Sequence, residues 1–444
     1  MTKTEKDRPE QVDIIIVGLG IAGLTAAIEC HRNGHNVIAF DRTPSLLHVG
    51  DIFSIGSNAV SVIRHWEDGA VSSSLNEARC AIDEIQIFDQ TGKLQDVNNM
   101  EGYRDGEGYV VNRAEAIGIF FEYAQRLGVD LRFGANVTDY WEDEHNAGIF
   151  VDGMRIEADC VIATDGIHSK AREAICGTAV TPKKTGSAIY RSGYSAEELS
   201  QTHAAEWLTK GKEGKDQLYH FIGKDVTFLV GTGRRGKDVY WGCMHKVYSH
   251  PGLRHIRDTK SLQSLHDVSE AWLQVSDVTR ALKHITSWEV KHRLEPIITS
   301  TPQGKCFDHL VLTMDPLPSW LSKKNRMILL GDAAHPFLPN TGQGANQCIE
   351  DGATVAICLK LAGKSGVTTG LRVAERLRYQ RVAKIQELGH KMLETLQNAK
   401  WEGENAEETP TMVTRPAWIC SHDCQQHANA EFHKVASMLD DSKN

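Results

Sequence analysis

The sequence predicts an α/β fold in which a parallel-sheet domain is interrupted by an inserted antiparallel sheet and followed by C-terminal helices. Three observations predict it. Near the N-terminus, "VDIIIVGLGIAGLTAAIECHRNGHNVIAFDR" reads as strand, tight glycine turn, helix and second strand. Between 187 and 245, the runs "SAIYRSGYS", "QLYHFIG", "VTFLVGT" and "DVYWGCMH" are rich in β-branched and aromatic residues and lie at hairpin spacing. From about 364 to 400, Leu, Val and Ile recur at helical spacing among alternating charges, the pattern of a long amphipathic helix; a polar loop from 401 and a short C-terminal helix follow. A chain of 444 residues is long enough for two or three domains.

The first unit is a Rossmann-like βαβ. Its β-branched run ends at Val17. Gly18 allows the tight turn, Gly20 lets the backbone approach a pyrophosphate, and Gly23 lets the helix pack close against the strand. Asp41 closes the second strand, where a carboxylate takes the ribose hydroxyls of a bound dinucleotide. This unit does not separate NAD from FAD. The same glycine spacing recurs at Gly231, Gly233 and Gly236, but there both flanks are strand-like and no helix follows, so a hairpin turn over 234–237 is expected.

Two further motifs bear on the ligand. "DCVIATDGIHSKAR", residues 159–172, gives a buried strand that ends at Thr164-Asp165-Gly166 and runs into a polar turn. "LLGDAAHPFLPNTGQGANQCIEDGA", residues 329–353, sets glycines just ahead of a helix-like run from 343. A helix N-terminus offers unpaired N–H groups and partial positive charge, so the group that approaches this loop should be electron-rich and partly anionic.

Composition narrows the partners. A net charge of −9 gives no support for a nucleic-acid surface. Ten cysteines without a CxxC pair fit free thiols in a reducing compartment. Cys420 and Cys424, with His422 and Asp423 between them, fall short of a four-ligand structural zinc site, and no metal is expected. The polar start "MTKTEKDRPEQ" is no signal peptide, and the longest apolar stretch, 14–28, is too short and glycine-broken to span a membrane. A cytoplasmic protein acting on small molecules is the expectation, with its oligomeric state open.

Taken together, "GLGIAG", "DGIHSKAR" and "GDAAHPFLPNTGQGANQCIEDG" resemble, in order and approximate spacing over most of the chain, the class A FAD monooxygenases of the salicylate and para-hydroxybenzoate hydroxylase type. The resemblance implies an FAD-binding domain of that type from 8–75, 105–180 and 300–365, a substrate-binding β-sheet domain from 76–104 and 181–299, and a helical region over 366–444. It implies FAD as cofactor, NADPH or NADH as co-substrate, and O2, which forms a C4a-hydroperoxyflavin. It places Asp165, with Ser169 and Arg172, beside the FAD and NAD(P)H regions, and Asp332 on the ribityl chain. Pro339, Gly342, Gly344, Ala345 and Asn346 would pass beside the isoalloxazine, and Arg113 would stand at a helix start near the pyrophosphate, unless it is a solvated helix arginine.

Within that class, "VGLGIAGLTAAIECHRNGHNVIAFDR", "HVGDIFSIGSNAVSVIRHWEDGAV" and "PAWICSHDCQQHANAEF" look most like fungal enzymes of prenylated indole alkaloid pathways, which epoxidise the indole C2–C3 bond and guide a semipinacol shift to a spiro-oxindole. That likeness makes Asp51 and Arg191 the candidate catalytic residues. Asp51 stands where the wider family has small residues; the alternative is a loop aspartate capping a helix near Ser57. Tyr190 and Arg191 must point to opposite faces of a strand, and the alternative for Arg191 is an edge-strand surface position. A phenol hydroxylase on the same fold would instead need a base, for which His220, His245 and Tyr194 are candidates. A flavin-dependent halogenase is disfavoured by the lack of a WxWxIP segment.

Overall fold

A computed structural model describes residues 11–46, 50–104, 106–177, 180–199, 203–209, 214–247, 274–397 and 416–441. Its floor is a five-stranded sheet in the order Met327–Leu329, Cys160–Ala163, Asp13–Val17, Asn36–Phe40, Asp130–Arg132, every pair parallel. Ile14, Ile15 and Ile16 are at most 2% exposed, and both faces of the sheet are covered, as a parallel strand of continuous apolar residues requires. The helix Ile21–Arg32 joins the first two strands of the chain and packs on the helix Gly344–Ala362. A Cβ at Gly352 would stand 2.8 Å from the Ala26 backbone nitrogen, so only glycine lets these two helices meet at this distance.

The roof is a seven-stranded sheet in the order Phe307–Thr313, Lys183–Ser195, Asp238–Lys246, Val226–Gly233, Leu218–Gly223, Ile85–Asp89, Leu94–Asn98. The expected turn over 234–237 is a hairpin, with Arg234, Arg235 and Gly236 all at positive φ. Two expectations need correction. The sheet is not wholly antiparallel, because Leu218–Gly223 pairs parallel with Ile85–Asp89. Hairpin-linked strands must be antiparallel, whereas these two are joined by a long excursion through the floor that permits either direction. The roof also extends beyond 299, since Phe307–Thr313 forms its far edge, and a lone strand carries no sign of which sheet it joins.

The two faces of the roof differ by strand parity. Tyr190, Tyr219, Phe221 and Phe228 pack with Ala281, Leu294, Ile297 and Ile298 of the helices Val278–Leu282 and Lys291–Thr299. Each such buried aromatic stabilises the fold by on the order of 2–3 kcal/mol. The alternate residues Ile189, Arg191, Leu218, His220, Leu229 and Met244 line a cleft above the floor. The outer face therefore carries the stability, and the inner face can carry polar groups.

The long amphipathic helix spans Val367–Gln397. The polar loop expected from 401 lies, up to 415, outside the described residues. The tail then forms two helices, Ala417–Cys420 and Cys424–Asp441. The second is 18 residues long, more than the short helix expected, because Cys424, Ala428 and Phe432 at helical spacing join the main core. Among the described residues no helix is long and apolar enough to cross a membrane.

Candidate active site

The glycine turn after Val17 opens the cleft. Gly18, at φ +99, donates its N–H to Phe40 O at 2.7 Å, and a Cβ there would meet Thr164 O at 2.5 Å. At Gly23 a Cβ would fall 1.8 Å from Gly18 O. At Gly20 nothing lies within 4 Å, so the backbone is bare to whatever enters. Asp41 accepts from Leu19 N at 2.7 Å and from Thr43 N at 2.8 Å, tying the turn to the second strand while lining a cavity of about 230 Å³.

Asp165 lines the same cavity. One of its oxygens accepts from Lys170 N at 2.8 Å at the start of the helix Ala171–Cys176; the other, Oδ1, is buried and makes no hydrogen bond. Arg172, 1% exposed, is bound up within the protein: its guanidinium donates to the carbonyls of Ala333, Ile167, Val180 and Asp332. It clamps the Asp165 turn to the Asp332 loop. Ser169 Oγ accepts from Arg172 N at 3.0 Å and is likewise local.

A second cavity, of about 550 Å³, shares Gly20, Arg113, Thr164 and Gly166 with the first. Asp332, Pro339, Gly342, Gly344 and Ala345 form its floor wall. Burial raises the pKa of Asp332 above the usual carboxylate value, against the pull of Arg113, His335 and Arg172. The helix Gly344–Ala362 has no side-chain cap and no acid in its first turn, so its N–H groups are left for a ligand. Asn346 departs from expectation: its side chain accepts from Gly56 N at 2.6 Å and donates to Ser54 O at 3.0 Å, pinning the strand Ile52–Ile55 rather than lining the cleft.

Beneath this wall lies a charge network that the sequence reading missed. Glu350, 0% exposed, takes Arg378 Nη1, Arg381 Nε at 2.8 Å and Asn58 Nδ2 at 2.6 Å; Asp351, also 0% exposed, takes Arg378 Nε at 2.9 Å and His335 Nε2 at 2.7 Å. Burial alone would raise both carboxyl pKa values, but the arginines, and His335 beside Asp351, outweigh it and hold each at about 2. Gln343 extends the network to Tyr103 at 2.6 Å. The visible signal was the pairing of two adjacent acids with Arg378 and Arg381, three apart on one helix face.

The roof brings Asp51 and Arg191 together. Arg191, 5% exposed, donates from Nη1 to Asp51 Oδ1 at 2.6 Å, and both line the second cavity. Asp51 does not cap the helix Ser57–Ile63, whose cap residue Gly56 makes no side-chain bond. Of the candidate bases only His220 lines the cleft. Burial lowers its pKa to about 4, so it is neutral and weakly basic near pH 7. Tyr194 donates to Ile297 O on the outer face, and His245 clusters with the rings of Tyr190 and His284. Among the described residues no group of three His, Cys, Asp or Glu forms a metal site.

The two connected cavities fit FAD. Bare backbone at Gly20, the unpartnered Asp165 oxygen and the uncapped helix at Gly344 lie along one groove that suits an adenosine at one end and a partly anionic ring at the other. The family model described as FAD binding domain matches residues 11–388. Notoamide E oxidase of Aspergillus versicolor is 39% identical over 432 residues, covering 97% of this chain and 91% of the relative. Among solved structures, CtdE in complex with FAD and a substrate has a TM-score of 0.90 at 71% identity, covering 97% of this chain and 100% of that one. FqzB has a TM-score of 0.85 at 32% identity, covering 97% and 96%.

Proposed function

The chain belongs to the FAD-binding-domain family and is an FAD-dependent monooxygenase; from that premise we propose that it epoxidises the indole C2–C3 bond of a prenylated indole alkaloid and steers a semipinacol rearrangement to a spiro-oxindole. FAD, reduced by NADPH or NADH and reacting with O2, supplies the electrophilic oxygen. The observation that carries the reading is the buried Arg191, bonded to Asp51 on the ceiling of a cleft otherwise largely walled by apolar side chains and glycine backbone. CtdE, the 71% identical neighbour, was crystallised with FAD and a substrate.

The residues of this chain have defined tasks. Gly20, Arg113 and Asp41 would hold the pyrophosphate and ribose of FAD, Asp165 and Asp332 would take hydroxyls, and the wall from Pro339 to Ala345 would face the ring. The apolar residues exclude water and hold the indole face towards the flavin. Arg191 donates to the epoxide oxygen and weakens its bond to C3. As that bond breaks, the group on C2 shifts to C3 and the oxygen left on C2 becomes the oxindole carbonyl. The step is an isomerisation, so Arg191 lends a hydrogen bond and loses no proton, which suits a guanidinium, a planar group of fixed N–H donors. Asp51 orients Arg191 and pairs with a protonated amine of the alkaloid.

A phenol hydroxylase is the second reading. It needs a base at the ring, and the weak basicity of His220 tells against it. The deciding experiment follows NADPH consumption with a prenylated indole alkaloid and with salicylate, identifying products by mass and NMR. One added oxygen in a rearranged oxindole is expected; turnover with the phenol alone would overturn the proposal.

A further inference from the structure

The roof edge places two residues against Arg191. In the pairing of Phe307–Thr313 with Lys183–Ser195, Phe307 stands opposite Arg191 and His309 opposite Ile189, so all four side chains share the cleft-side face. The Arg191 guanidinium carbon lies 5.5 Å from the centre of the Phe307 ring. Its Nε donates to His309 Nδ1 at 3.3 Å, while Nη1 donates to Asp51 at 2.6 Å. His309 itself is half-buried and does not line the cavity.

A guanidinium is planar with its N–H directions fixed, so a bond at Nε together with one at Nη1 restrains the plane more tightly than the Nη1 bond does without it. An imidazole that accepts at Nδ1 carries its proton on Nε2 and is neutral. The two acceptors are not equivalent. Asp51 faces the cleft and is the group a cationic substrate would draw towards itself. His309 sits behind, out of that competition.

We infer that His309 is a positioning residue for the oxygen-transfer site: its Nδ1 keeps Arg191 aimed at the reacting oxygen when substrate engages Asp51. The inference rests on the reading of Arg191 given above. The test compares His309→Phe, which removes the acceptor, with His309→Asn, whose side-chain oxygen can replace it, using Arg191→Ala as reference. His309→Phe should retain FAD and a KM within about twofold, lower the rate of spiro-oxindole formation about tenfold, and divert oxygenated product to unrearranged, water-opened material. His309→Asn should restore most of the rate and the product ratio. In FAD-loaded protein labelled with nitrogen-15 at arginine, the Arg191 Nε–H signal should stay protected from exchange in the wild type and His309→Asn and lose protection in His309→Phe.

Unchanged protection and product ratio in His309→Phe would overturn the inference while leaving Arg191 in its role. Equal damage in both His309 variants, with lowered FAD content, would overturn it in favour of a merely structural histidine. An Arg191→Ala variant that still forms the spiro-oxindole would instead remove the reading on which the inference stands.

Discussion

On the floor of the cleft, the frame proposed to hold the cofactor is set largely by backbone: Gly18, Gly20 and Gly23 in one turn, and the wall from Pro339 to Ala345 over a buried charge network. On the roof they are side chains, and Asp51 and Arg191, 140 positions apart, meet only because a strand from one part of the chain crosses above a loop from another. The difference separates two kinds of failure. A change that breaks the floor's packing should strike fold and cofactor together, whereas a change on the cleft face of the roof should spare both and strike the reaction.

The largest effect should come from Gly23→Ala. Its Cβ would lie 1.8 Å from Gly18 O and 2.7 Å from Thr164 Oγ1, so the helix must lift from the strand. We expect a loss of stability on the order of 4–5 kcal/mol with no retained flavin, read by urea unfolding and the visible spectrum. A flavin-loaded Gly23→Ala protein would break the comparison at its strongest point.

Next in size is Glu350→Gln, which leaves the buried Arg378 and its neighbour Arg381 short of a charge partner and should destabilise by about 3–5 kcal/mol. The pH dependence has a definite sign. Glu350 and Asp351 are held at about 2, below their ordinary values of 4.5 and 3.8. Groups depressed on folding lend stability that is fully present above the unfolded value and is lost as pH falls through the folded one. Unfolding free energy should therefore drop between about pH 5 and 2, and the drop should be shallower in Glu350→Gln. A parallel pH profile would show that the network does not set acid stability.

The same division governs what could be read in the sequence. Gly18, Gly20 and Gly23 were legible because they stand at a fixed local spacing, with Gly18 and Gly23 each answering a local steric demand. The false match at Gly231, Gly233 and Gly236 was separable by its flanking strands alone. Roof residues obey no such local rule. Strand parity said that Tyr190 and Arg191 diverge, but only the sheet decides which faces the cleft. His309 sits in "FDHLVLT" with nothing nearby to mark it, and its partner lies on another strand. Asn346 shows what a motif does not reveal: beside its place in a glycine-rich loop, its side chain holds a neighbouring strand. What the sequence withholds is tertiary pairing.

Arg191→Ala sharpens the roof side. It should keep FAD and unfold near the wild type, yet lower rearranged product by about 10²–10³-fold, the usual loss when a donor to developing negative charge is removed. Arg191→Lys should not rescue it, since a single ammonium cannot hold the planar two-point contact with Asp51 and His309. Loss of flavin in Arg191→Ala would make the residue part of the floor's support instead.

The smallest effect tests the division from within the floor. At Gly20 a Cβ meets nothing within 4 Å, and the residue's φ is not in the left-handed region, so Gly20→Ala should leave the unfolding midpoint of the apoprotein unchanged. The same methyl would occupy space at the groove shared by both cavities, where the pyrophosphate is proposed to approach backbone. FAD affinity should fall about tenfold, by titration of apoprotein followed through flavin fluorescence. Gly23 and Gly20, three residues apart, would then fail for different reasons, one because protein already fills the space and the other because the cofactor needs it. A Gly20→Ala protein that lost stability without FAD would mean that the turn, and not the ligand, demands glycine there.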